Sequence, residues 1–515
     1  GVLAQTDAEG RFRVEGLSGG SYRVTAKKDG LGSATLDGAK PDGTTEVRIR
    51  LSEANHLDER GAWIGPLPAV ETTLRLPMVQ EGGEWRIDEV PDALIVPESW
   101  FETHFRQVSL YFFDPTGQVL VPEPVFVPRG EQLATTLTRG LLLGPGDRLR
   151  GVSRTFFPAD ATLELSVPVT ASGAAEIALQ GELTQPSPQA TTLMLAQLSW
   201  TLRQEPTIRS IRLSIGGEPV TPPGSATEFR VGGGEEFDPA VAGASTRLFG
   251  LRGGRAVEAS AGAEERVGGP LGRRGARLRD LAVNLQGTAV AGVRRDGRSV
   301  VRAPTDDGGG PEQEVGLGQD FLKPSWDFAD RLWLVDRTAA GARVSLVVGS
   351  EARRVRVPGV TGRDVSRFLV SRDGSRLVAV VAGESGDRVV VSRIRSDDLG
   401  RVRGATRALP VARDSADPLQ IRDIAWLTPS SLLILERVTD DLAELTTVPV
   451  DGSHGSVASE NASDLVREPA VGLVTSPVEA GAHYLLTDDA VVDLSATERA
   501  LVAVDPRVTA LTFPG

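Results

Sequence analysis

The C-terminal half of the chain repeats one short grammar. RDLAVNLQGTAVAGVRRDGRSVVRA from Arg279, KPSWDFADRLWLVDRTAAGARVSLVV from Lys323, SRFLVSRDGSRLVAVVAGESGDRVVVSRI from Ser366, IRDIAWLTPSSLLILERVTDDLAELTTVPV from Ile421 and AVGLVTSPVEAGAHYLLTDDAVVDL from Ala470 read alike. Each is an apolar strand, a polar turn, a second apolar strand, a turn with charges or Gly, and a third strand. The starts recur about every 40–55 residues, the period of a propeller blade. A small antiparallel sheet cannot bury two apolar faces alone, and stacking such sheets around a ring buries both. The chain ends RVTALTFPG, a first strand without successors, while TRLFGLRGGRAVEAS at 246–260 supplies later strands without a first. The two are expected to complete one blade and close the ring. The expected count is six blades, with seven as the alternative. Within the ring, SRDG (371–374) reads as turn chemistry, with Gly374 supplying a positive φ.

Upstream the pattern changes. Residues 1–53 alternate apolar and polar and look like the end of a prealbumin-like, carboxypeptidase-regulatory-like sandwich. Residues 54–97 carry a hairpin around Glu81-Gly82-Gly83. Residues 98–220 read β-β-α-β-β-α-β, an α+β domain with helices on one sheet face. Its first core helix places Leu133, Leu137 and Leu141 on one stripe and ends at Gly144-Pro145-Gly146; its second does the same with Leu195, Leu198 and Leu202. Residues 221–245 lack periodicity and read as a linker before the propeller at 246–515. The fold class is thus multidomain and mainly β, with a short β-rich N-terminal segment.

Composition and motifs argue for binding over catalysis. Lys+Arg is 56 against Asp+Glu 69, a net charge of −13 that disfavours a nucleic-acid partner. Without Cys there is no thiolate nucleophile or thiolate metal site. His56, His104, His454 and His483 are scattered, with no H-E-x-x-H. GLSGG (16–20) matches a nucleophile elbow but is followed by a strand instead of the helix that geometry needs. TDDGGG (305–310) lacks the spaced oxygen ligands of a calcium loop. No catalytic, cofactor-binding or metal-binding residue is therefore expected. Trp326, Trp333 and Trp426 read as packing between blades, the other reading being aromatic anchors for a protein partner. No apolar run is long enough to span a membrane, and the start at Gly1 reads as a fragment or a processed chain.

The phrases VSLYFFDPTGQVLVPEPVFVP, LATTLTRGLLLGP and LAQLSWTLRQEPTIRSIRLSIGG together resemble a GerMN domain. A GerMN domain followed by a degenerate propeller resembles the actinobacterial lipoprotein LpqB family. GEWRIDEVPDALIVP (83–97) is similar to the closing strands of the NTF2-like domain that precedes GerMN there. The resemblance implies a non-enzymatic accessory lipoprotein on the extracytoplasmic face of the cell membrane. Its lipid anchor would lie outside this chain, since the lipobox cysteine is missing. It also implies contact with the extracytoplasmic part of an MtrB-like sensor kinase, and effects on two-component signalling, envelope homeostasis and cell division. The family has no catalytic residues to carry over. The alternatives are a propeller-borne hydrolase or lyase, for which His454 or His483 would sit beside an acid and a Ser in the propeller mouth, and a glycan- or peptidoglycan-binding module marked by exposed Trp or Tyr in the GerMN groove.

Overall fold

In the computed structural model the described residues are 22–28, 32–39, 45–51, 54–68, 71–81, 84–89, 92–181, 186–221, 227–260, 263–384, 386–411, 420–439, 442–453, 464–467, 469–478, 481–495 and 500–515. They form two compact units, one of residues up to 57 with 64–104, the other of 58–63 with 105–515.

The main sheet of the first unit is antiparallel and five-stranded. Its strands, in spatial order, are Tyr22–Lys28, Gly32–Ala39, Thr45–Arg50, Thr73–Glu81 and Glu84–Ile87. Thr45–Arg50 pairs residue for residue with the strand from Thr73 to Met78. The boundary expected near residue 53 therefore falls between two hydrogen-bonded neighbours of a single sheet. Helix α1, Glu98–His104, ends this unit, with the exposed His104 ring stacked on Trp100 at 4.3 Å.

The second unit begins with a hairpin, Phe105–Phe113 and Leu120–Pro128. Its turn is held by Asp114, whose Oδ1 accepts the N–H groups of Gln118 and Val119 at 2.8 and 3.0 Å, while Gly117 takes φ +75°. Both helices expected from the leucine stripes are present: α2, Leu133–Leu142, and α3, Pro188–Leu202, the latter capped by Ser187. The strand order also matches, but the strands divide into two sheets. Ala174–Gln180 and Ser210–Ile215 run parallel across α3, in a sheet separate from the first hairpin. This division explains why α3 is buried on nearly all sides. Leu195, Leu198 and Leu202 join the main core with Leu110, Val125 and Ile177, and Leu193, Ala196 and Trp200 pack on Phe113 and Leu120.

The segment expected to be a linker is a packed strap. Phe229–Arg230 pairs with Ser210 and Ile211. Ser199 Oγ donates to the carbonyls of Val231 and Gly233, and Trp200 Nε1 to that of Gly234 at 2.8 Å. Aperiodic sequence follows, because polar side chains on α3 hold the strap's backbone where no face of its own is buried.

Six antiparallel sheets follow among the described residues. Blade 1 contains Leu248–Arg252, Arg255–Ser260 and Ala263–Arg266, and its innermost strand is the C-terminal Val508–Thr512. Phe249 pairs with Thr512, Leu251 with Thr509 and Arg252 with Val508, which is the closure expected from the sequence. Blades 2 to 6 start with the inner strands Leu278–Val283, Ser325–Trp326, Val365–Val370, Ile421–Thr428 and Ala470–Thr475. The inner strands touch in ring order, that of blade 6 meeting that of blade 1. An apolar cluster fills each gap between neighbours. Phe249 and Leu251 meet Leu281 and Val290 between blades 1 and 2, and Val474 and Tyr484 meet Val508 and Phe513 between blades 6 and 1. Trp326, Trp333 and Trp426 lie in the clusters of blade pairs 2/3, 3/4 and 4/5, so all three are buried packing residues.

In blades 2, 3 and 4 the turn after the inner strand is braced by a short polar side chain at the strand's end. Asn284 Oδ1 accepts the N–H groups of Thr288 and Ala289, Asp327 Oδ1 those of Ala329 and Arg331, and Ser371 Oγ that of Arg376. Gly374 takes φ +67°, as its turn requires. The blade 4 turn is nevertheless buried, because the GerMN-type region rests on it. Arg376 donates to the Pro122 carbonyl, and Arg393 grips Glu123 through two bonds of 2.8 and 2.9 Å. Gln107 reaches Ser453 at 3.2 Å, and Ser396 N–H bonds the Gly151 carbonyl at 2.7 Å. Burial, then the nearby Arg393, lowers the Arg376 pKa, so this cation depends on Asp373 and Glu123 at 3.7 and 3.6 Å. Replacing Glu123 by Ala would leave the buried Arg376 guanidinium facing the half-buried Arg393 without the carboxylate between them. The expected cost is about 3 kcal/mol or more in chemical denaturation of the full chain. An unchanged midpoint would contradict the arrangement.

Candidate binding site in the propeller channel

The six inner strands enclose a cavity of about 430 Å³ on the ring axis. One end is shut. Arg372, from the blade 4 turn, is fully enclosed and donates to the carbonyls of Ala240 on the strap and Pro514 at the C-terminus, at 3.3 and 2.5 Å. Burial pulls its pKa down to about 10, against the opposing charge of Asp238. Pro239 of the strap, with Ser371, Asp373, Trp426 and Pro477, lines a cavity of only about 10 Å³ at that end.

The other end carries the charge. In blades 2, 4, 5 and 6 the ladder slips just before Asp280, Arg367, Asp423 and Gly472. Such bulges re-aim a side chain and are frequent beside functional sites. Asp280, Arg367 and Asp423 line the cavity, joined by Lys323 just ahead of the short inner strand of blade 3. Gly472 leaves room for the Asp423 carboxylate, since a Cβ there would stand 3.1 Å from its Oδ2.

These four charges are unevenly satisfied. Asp423 accepts the N–H groups of Leu473 and Ile424 at 2.9 and 3.1 Å and lies 3.4 Å from Arg367. Asp280 accepts only the Leu281 N–H, at 3.0 Å, among the described residues. Lys323 has neither hydrogen bond nor ion pair among the described residues. Burial pushes the Asp280 carboxyl above its ordinary value, with Lys323 opposing and Asp423 adding to the rise. Burial does the same to Asp423, with Arg367 the main opposing charge. Both carboxylates stay reachable from the cavity while protein surrounds their other sides. Around the mouth, Asp320 binds Arg279 at 2.6 Å and also bonds Arg337. Asp327 and Asp451 are pushed the same way by burial, so what sets Asp280 and Asp423 apart is that they line the cavity.

The residues singled out from sequence do not converge here. His483 lies on the second strand of blade 6 and does not line the cavity; its buried Nδ1 has no hydrogen bond among the described residues. His454 and GLSGG fall outside the described residues. His56 and His104 belong to the first unit. No group of three potential metal ligands occurs among the described residues, and no helix there is long and apolar enough to cross a membrane. In the GerMN-type region Trp200 is buried and Tyr111 packs against it at 5.5 Å, so neither is a free aromatic platform. Sequence reasoning did not find Asp280, Lys323, Arg367 or Asp423. Their only signal was position: each stands at or near the start of a repeat.

Asp280→Asn tests the strain at this site. An acid whose folded pKa is raised costs stability when charged. That cost is present above the folded pKa and is relieved as pH falls through it towards the ordinary value of 3.8. Asp280→Asn is therefore expected to raise the melting temperature at neutral pH, and the gain should vanish in acid. Destabilisation at neutral pH would contradict the reading.

Three family models match successive parts of the chain. They are the lipoprotein LpqB N-terminal domain over residues 22–102, the sporulation and spore germination domain over 109–221, and the lipoprotein LpqB beta-propeller domain over 254–494. The first spans both N-terminal segments that the sequence pattern separates, in line with their shared sheet. Lipoprotein LpqB of Thermobifida fusca is 28% identical over 84% of this chain and 76% of its own length. That of Mycobacterium bovis is 27% identical over 78% and 69%, and that of Streptomyces coelicolor 27% over 75% and 67%. TolB from Acinetobacter baumannii, a solved structure, aligns over 53% of this chain and 68% of its own at 10% identity, with a TM-score of 0.36. With its three regions matched in order and such relatives along most of its length, the chain belongs to the lipoprotein LpqB family.

Proposed function

We propose that this chain is a non-enzymatic accessory lipoprotein of the cell envelope, held outside the cytoplasmic membrane by a lipid anchor. Its open channel face binds the extracytoplasmic part of an MtrB-like sensor kinase. By binding one state of the kinase more tightly than the other, it biases two-component signalling, and through it envelope homeostasis and cell division. The observation that carries this reading is the asymmetry of the propeller. One end is spent on the GerMN-type region, the strap and the C-terminus, and the other presents a charged mouth. The names of the relatives support the lipoprotein part of the reading.

Capture of the purified extracytoplasmic part of such a kinase by the immobilised full chain is the test. Reversing charge at the mouth, with Lys323→Glu and Arg337→Glu together, is expected to weaken capture about tenfold, mainly through slower and salt-sensitive association. Failure of the parent chain to capture the kinase, or equal capture by the doubly substituted chain, would sink the proposal.

A further inference from the structure

Five cationic side chains and two carboxylates line the cavity, but Arg279 and Arg337 are paired with Asp320 and Arg372 is bonded into the closed end, which leaves two charges of each sign. Asp280 and Asp423 come from blades 2 and 5, and Lys323 and Arg367 from blades 3 and 4. They are close enough to feel one another, Asp280 sensing Lys323 and Asp423, and Asp423 sensing Arg367 and Lys323. Among the described residues one ion pair links them, Arg367 with Asp423 at 3.4 Å. Lys323 and one oxygen of Asp280 keep their bonding capacity in hand. The shut end makes the channel a pocket with a floor, and about 430 Å³ falls within the range of small-molecule sites.

A ligand of one sign would satisfy one pair of these groups and leave the other facing a like charge in a partly desolvated cavity. We infer that the channel takes a small zwitterion, an amino acid or short peptide, with its ammonium group at Asp280 and Asp423 and its carboxylate at Lys323 and Arg367. This rests on the reading of the open channel face as the working face. It adds a small ligand within the mouth whose occupancy a protein partner on that face would sense.

Calorimetric titration of the full chain tests it with four probes. These are L-alanine, L-alanyl-L-alanine, N-acetyl-L-alanyl-L-alanine, which lacks the ammonium group, and L-alanyl-L-alaninamide, which lacks the carboxylate. Saturable binding of alanine alone assigns a free amino acid, and binding of the dipeptide assigns a peptide. The blocked probes are expected to bind about tenfold more weakly or not at all. Asp280→Asn should lower affinity for the zwitterion about tenfold, and Lys323→Met is the second variant should the first misfold. Either blocked probe binding as well as its parent, or no saturable binding by alanine or the dipeptide, would overturn the inference. Kinase capture in that same preparation separates the two ideas. Capture without zwitterion binding removes this inference alone, and loss of both removes the reading beneath it.

Discussion

Everything in the second unit depends on one backbone pairing, that of Val508–Thr512 with Leu248–Arg252. Each blade has two apolar faces and two neighbours, so an open row would leave two faces in water. The pairing gives blade 1 its inner strand and so completes the clusters it shares with blades 2 and 6. It also carries Pro514 and Gly515 to the channel floor, where Arg372 and the Val283 carbonyl hold them. Closure of the ring and closure of the channel are thus one event.

The two ends of the ring differ because they are built from different turns. At the floor the hairpin turns are braced by Asn284, Asp327 and Ser371, and the blade 4 turn supports Arg372 and Arg376. The ion pairs there are not evidence of great stability, since burying charge costs about as much as pairing returns. Their geometry is selective: a two-pronged Arg393–Glu123 contact fixes which surface of the GerMN-type region meets the propeller. At the mouth, ladder slips turn Asp280, Arg367 and Asp423 inwards. The protein therefore spends charge at the floor on its own architecture and at the mouth holds it available.

The architecture was legible because it rests on period. Strand alternation and repeat spacing gave the blades, leucine stripes gave α2 and α3, and the unmatched strands at 246–260 and 509–513 gave the closure. SRDG was legible as a turn, since Gly374 does what an Asp-Gly turn asks. That the same turn is buried was not, because its partner Pro122 lies 254 residues away from Arg376 and no local pattern encodes it. The strap was read as a linker for a like reason, its bonds going to Ser199 and Trp200. The charges of the mouth were hidden for a third reason. Each looks like an ordinary polar residue at a strand start, and only the ring brings Asp280, Lys323, Arg367 and Asp423 to one level.

The central claim is that the propeller has one working face. Hydrogen–deuterium exchange of the full chain, alone and with the extracytoplasmic part of the sensor kinase, tests it most directly. The account predicts slowed exchange in the segments around Arg279, Lys323, Arg367 and Asp423, and none in the turn from Ser371 to Arg376. Protection at that turn, or on the outer strands of the blades in place of the mouth, would contradict it.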